Sequence, residues 1–384
     1  MKQIKNLLKP IAAALLLVGL FAACEGPAGP QGPAGPQGDS FVNWEGYKEG
    51  IQCAQCHNPD IDTTYYVWAR RTQWSISKHS NGGAYTENSA TCARCHTTEG
   101  FIQQDLGQPI TEQAVSSPIG CFACHSPHSR ANFSLRTIDP VTMISNVVGV
   151  DNFEFDYGKG NLCATCHQPR EMTLPNSPKP DPTKTADTDT ITIKSSRWYS
   201  HYGVQGQMLG GTGGFEFVDY TYTGNSNHTT NTVIKGTTGT MGEGCVICHM
   251  AQETQNPAGG HSMWIEYDGS EILAGCLTSG CHAEPFDLDH IGASGSLTGG
   301  LGSHTATEAY LDTLGGLLLD RNWITASGTI NASTSNPLKI APESRSGALF
   351  NYFFVEHDLS LGSHNTRYTI ELLQSSIAEL RKDL

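Results

Sequence analysis

Regular hydrophobic periodicity is confined to a few places in this chain. Residues 11–22 form an apolar run behind a basic start at Lys2, Lys5 and Lys9, too short to span a bilayer comfortably. Near the C-terminus two stretches carry the repeat of an amphipathic helix. One opens at Thr305, with Glu308 three residues on as a capping box, and runs through Tyr310, Leu311, Leu314 and Leu318. The other follows Ser363-His364-Asn365-Thr366 and places Ile370, Leu373, Ile377 and Leu380 on one stripe. Residues 68–85 are helical in tendency, and 215–222 have short-strand character.

Two stretches punctuate this pattern. Residues 26–39 read GPAGPQGPAGPQGD, with Gly at every third position. That composition suits a short collagen-like triple helix, which would trimerise the chain, or an extended polyproline II spacer. So few triplets favour the spacer. Residues 175–190 are polar, Pro-rich and without period, as expected of a linker or an excursion loop. The expected organisation is a signal peptide over 1–23, an anchor and spacer over 24–40, and a first Cys- and His-bearing region over 41–171. The Pro-rich stretch (172–190), a second Cys- and His-bearing region (191–299) and a helical segment (300–384) follow.

The cysteines change the picture most. There are 13, and twelve fall in six motifs. Cys53-Ala54-Gln55-Cys56-His57 is repeated as Cys92/Cys95/His96, Cys121/Cys124/His125, Cys163/Cys166/His167 and Cys245/Cys248/His249. Cys276/Cys281/His282 has four residues between its cysteines instead of two. Cys-x-x-Cys-His is the attachment signature of c-type haem. Two thiols one helical turn apart can add to the two vinyl groups of a porphyrin. The His, at i+4 from the first Cys, lies on the same face and can reach the iron. Zinc sites need paired Cys-x-x-Cys units without an obligatory trailing His. The wider sixth motif could instead hold a disulfide or two structural thiols. Counting it with the others, six haem c groups are expected.

Only Cys24 falls outside the motifs. It follows Phe21-Ala22-Ala23, which resembles a bacterial lipoprotein cleavage box with Phe where Leu is common. Lipidation of Cys24 is the expectation, an ordinary signal peptide the alternative. Either implies export, which covalent haem attachment also requires. The modest apolar content, 38%, is thin for this length, and buried porphyrin faces would supply the missing apolar mass. The net charge of −14 argues against a nucleic-acid partner.

Nine of the 15 His lie outside the motifs: His79, His128, His201, His228, His261, His290, His304, His357 and His364. Haem iron has two axial positions, and the occupant of the second separates electron transfer from catalysis. The six expected distal ligands are His364, His201, His79, His261, His128 and His228, with His304 and His290 competing for the last two places. Arg170, just after the fourth motif, could pair with a haem propionate or be solvated.

The motif run with single His between resembles the multihaem c-type cytochromes, from Ile51 to the C-terminus. His201-Tyr202-Gly203-Val204-Gln205, the Met250 after the fifth motif and Gly259-Gly260-His261 look like a family of exported multihaem electron carriers. The segment from Glu356-His357-Asp358 to Ser363-His364-Asn365, with its helix, resembles one that supplies a distal His in ammonia-forming nitrite reductases and hydroxylamine-oxidoreductase relatives. The resemblance implies that His364 ligates a haem and His357 does not. It also matches His79 to a distal position. The Cys-x-x-Cys-Lys motif of the catalytic haem in those nitrite reductases does not occur in this sequence.

The fold class expected is a multihaem cytochrome c, mostly α with much irregular coil and few short strands, wrapped round closely packed haems. The function expected is electron transfer by an outer-membrane-associated lipoprotein, periplasmic or on the cell surface. Its partners would be redox proteins or an extracellular acceptor, with the membrane held through the lipid and a homo-oligomer possible. The alternatives are a reductase of a small nitrogen or sulfur species with one open iron, or a subunit of a cytochrome filament.

Overall fold

The longest helices lie where the 3.6-residue pattern places them. A computed structural model of the chain describes residues 57–126, 133–173, 175–224, 226–254, 256–278, 281–284, 286–292 and 295–382, all within one unit, Gly46–Leu384. The last helix, Thr366–Arg381, begins where Asn365 accepts from the Tyr368 N–H, and its stripe of Ile370, Leu373, Ile377 and Leu380 is buried. The helix expected from Thr305 runs over Ser303–Asp320 instead, with Gly302 at its cap position. The capping box does not form. Asp289 covers this terminus from outside, accepting from the Thr305 N–H at 2.8 Å and its hydroxyl at 2.6 Å.

A third helix, Ser346–Asp358, packs against both of these, which also pack on each other, and has no apolar stripe to betray it, because it is buried nearly all round. The three helices share a core with Trp198, Met208, Phe215 and Phe217. The strand expected at 215–222 is not there. Phe215 exchanges both backbone hydrogen bonds with the Asn351 side chain, at 2.7 and 2.8 Å, so an amide side chain replaces a neighbouring strand. Its alternating Phe215 and Phe217 fill the helical core.

The strands are short and paired in twos. Ile191–Ile193 lies antiparallel to Leu338–Ile340, with Ile191 opposite Ile340 and Ile193 opposite Leu338. The Pro-rich 175–190 stretch runs over this body. Trp198 Nε1 donates to the Pro178 carbonyl at 2.7 Å, and Val148 N to that of Pro180 at 2.9 Å.

The region 57–292 is built from small pieces. The 68–85 stretch holds two α-helices, Val67–Ser75 and Lys78–Asn81, divided at Ile76 and Ser77, where the Ser77 side chain caps the second, and it ends in a 3-10 turn, Ala84–Thr86. The motif helices are four or five residues long: Ala93–His96, Cys121–Cys124, Gly160–Ala164 and Cys245–His249. Helices so short are not stable alone and depend on what they pack against. Here they pack on one another. A Cβ on Gly160 would lie 2.9 Å from Gly244 Cα and from the Cys245 nitrogen, so the fourth and fifth motifs touch backbone to backbone. Among the described residues no helix is long and apolar enough to cross a membrane.

Candidate functional site

The motifs converge on one connected cavity of ≈ 2850 Å³, lined by all ten described motif cysteines. A pocket for one small molecule is typically about 300–1,000 Å³, so this one has room for several. Trp74, Phe101, Phe155, Leu162 and Ile247 supply apolar wall. Cys24, Cys53, Cys56 and His128 lie outside the described residues.

Five motif His each face one His from elsewhere in the chain. Ring centroids are 6.1 Å apart for His96 and His201, 6.2 Å for His125 and His261, and 6.2 Å for His167 and His79. They are 6.1 Å apart for His249 and His364, and 6.0 Å for His282 and His228. An imidazole nitrogen lies about 1.2 Å from the ring centre and a metal–imidazole bond is about 2.0–2.1 Å. Two trans imidazoles on one metal therefore put their ring centres about 6.4 Å apart. The five pairs come within about 0.4 Å of that separation.

Hydrogen bonding sets which nitrogen is available. His125 Nδ1 meets the Phe133 carbonyl at 2.7 Å, His228 Nδ1 that of Ser363 at 2.8 Å, and His249 Nδ1 that of Met263 at 3.1 Å. His167 Nδ1 lies 3.2 Å from Gln205 Oε1, and His364 Nδ1 2.8 Å from Asp358 Oδ1. His79 Nδ1 sits 3.1 Å from Met263 Sδ. With the proton on Nδ1, Nε2 keeps its lone pair for a metal, the arrangement that outer partners impose on ligating His.

The other His are arranged differently. His304 uses Nε2 to meet Ser363 Oγ at 2.8 Å, and His357 places Nε2 3.1 Å from Glu356. His357 is buried among Tyr199, Tyr202 and Phe353. His290 stands edge-on to His282 at 5.3 Å, beside Phe286. His57 is exposed.

Burial favours the neutral form, the one that ligates, at eight of the ten paired imidazoles. It lowers His79 and His249 to about 4, helped by neighbouring imidazoles. Burial and then the Arg70 charge take His261 to about 4. Burial is also the main reason that His125, His167, His201, His228 and His282 titrate below the usual range. His364 goes the other way. Burial pushes it down, but the charge and hydrogen bond of Asp358 win and raise it.

The donor set tests which group fits. Among the described residues no three His, Cys, Asp or Glu side chains converge as a metal cage. Paired imidazoles without a third protein donor suit a metal whose other positions come from a macrocycle, and thiols at each motif suit covalent attachment of one. Arg70, Arg94, Arg170, Arg197 and Arg367 line the cavity of this acidic chain and can meet propionates.

Several supporting residues carry no sequence signal. Met263 serves two His, by its carbonyl and its sulfur, from a left-handed backbone at φ 57°. His201 itself sits at φ 70°. Such conformations in non-glycine residues persist where surrounding contacts impose them, as they do at ligand clamps.

No family model matches the chain, and no curated protein or solved structure matches it significantly.

Proposed function

We propose that this chain is an exported electron-transfer protein carrying six c-type haems, each held by two thioethers and, where paired His are described, by two axial imidazoles. The observation that carries this reading is the set of five His pairs at 6.0–6.2 Å, each joining one motif His to one distant His. When bound, the group supplies a one-electron iron couple. The chain's own residues do the rest. Paired imidazoles leave no axial position for a substrate, which favours a carrier over a reductase. The buried walls hold the sites close together, and the arginines offset propionate charge. By the same reading Cys24 carries a lipid that holds the body at an outer membrane, where a redox protein or an external acceptor takes the electrons.

Electron paramagnetic resonance of the oxidised protein, with carbon monoxide added after reduction, tests this. All-low-spin ferric signals and no carbon monoxide binding are expected. A substantial high-spin signal with carbon monoxide binding would point to a reductase with an open iron instead.

A further inference from the structure

The motifs make contact with one another in a particular order. Cys95 Sγ lies 3.9 Å from the Thr165 carbonyl and Cys166 Sγ 3.9 Å from that of Arg94, so the second and fourth motifs face each other through their second thiols. Cys245 Sγ lies 4.0 Å from the Gly160 carbonyl, which brings the fifth motif against the start of the fourth. The sixth follows the fifth. A Cβ on Gly275 would stand 2.9 Å from Cys248 Cα, and the Cys248 and Cys276 thiols are in hydrogen-bonding contact. The third motif joins from another side, since Cys124 and Cys166 pack together on Phe101, Ala123 and Leu162. Among the described motifs the fourth therefore has three neighbours.

The outer thiols differ. Cys121 and Cys281 are exposed, whereas both thiols of the fourth and fifth motifs are turned toward other motifs. A thioether ties its sulfur to the edge of a macrocycle, so sulfurs in contact place two edges in contact, and an exposed sulfur leaves an edge near solvent.

We propose that the site at Cys163, Cys166 and His167 is a three-way junction, not a link in a single line. It joins the second and third motifs directly, and the sixth through the fifth. Among the described motifs the third and sixth, whose outer thiols are exposed, are ends open to an external redox partner. An electron arriving from a reduced partner at one end converts one ferric iron to ferrous. It leaves when a ferrous iron is reoxidised at another end, and no bond forms or breaks. Met263, between His79 and His249, bridges the fourth and fifth sites on the imidazole side as well.

This inference rests on the haem reading, and one experiment separates the two. Crystals of the mature wild-type protein, measured at the iron absorption edge, locate every iron by anomalous scattering. Absence of iron at the motifs would remove the haem reading and the junction with it. With irons present, the one held by His167 is expected to have three nearest neighbours, those held by His96, His125 and His249. The His282 iron is expected to adjoin the His249 iron and not the His167 iron. An unbranched row among the irons of the second to sixth motifs, or a His125 iron nearer to that of His96, His249 or His282 than to that of His167, would overturn the junction while leaving the haem count intact.

Discussion

Asp358 Oδ1 lies 2.8 Å from His364 Nδ1, in a site where the Asp358 residue is 3% exposed. It is the one carboxylate among the described Nδ1 partners of the paired His. The others offer carbonyl, amide or thioether acceptors. A carboxylate accepting this proton makes the imidazole a stronger donor and favours the ferric state of the metal it ligates. The His249–His364 site is therefore expected to be lowered in potential. In Asp358→Asn, redox titration should show one midpoint moving up while the others stay. Ser360→Ala, which removes a hydroxyl bound to the same carboxylate, should move that midpoint less and in the sense set by a freer Asp358. No change in either variant would show that this carboxylate does not tune the site.

Replacement of a paired distal His by Ala is expected to open one iron. His79, His201, His228, His261 and His364 should each give one high-spin ferric signal and binding of carbon monoxide at one reduced site. His304→Ala and His357→Ala should give none, because their Nε2 atoms are engaged elsewhere. Electron paramagnetic resonance of the variant set reads this directly.

Much of this site is legible in the sequence, and for a physical reason. The attachment motif is local, since thiol spacing and the trailing His are set by one turn of chain. The candidate distal His also stand out, as isolated imidazoles in an acidic chain. What is not local is the pairing. His79 precedes the second motif yet faces His167 of the fourth, and His201 reaches back to His96. His228 precedes the fifth motif and faces His282 of the sixth. Those choices depend on how the short helices pack, which no periodicity reports. The helix at 346–358 is hidden for a related reason: burial on every side erases an amphipathic pattern. The strand expected at 215–222 failed because alternation also suits an irregular segment whose backbone is satisfied by Asn351.

Gly160→Ala is expected to destabilise the motif-bearing part by about 1–3 kcal/mol, because its Cβ would press on the backbone of Gly244 and Cys245. Thermal unfolding should shift down. Gly269→Ala, in a position with open space but a left-handed backbone, separates the cost of crowding from that of backbone strain.

Leu372 is fully buried in the C-terminal core, and Leu372→Ala should cost about 2–5 kcal/mol. Its haem content is expected to remain that of the wild type, since Leu372 does not line the cavity. Denaturant unfolding followed beside the haem absorbance would separate the two effects. Loss of haem from a folded variant would tie the core to the cofactor more closely than the packing implies.

The intact mass of the mature, exported protein tests the central claim most directly. The expected value exceeds the mature polypeptide, with any lipid on Cys24 allowed for, by the mass of six haems. In Cys276→Ser with Cys281→Ser it should exceed it by five. A wild-type mass with no added haem, and free thiols at the motifs, would contradict the account.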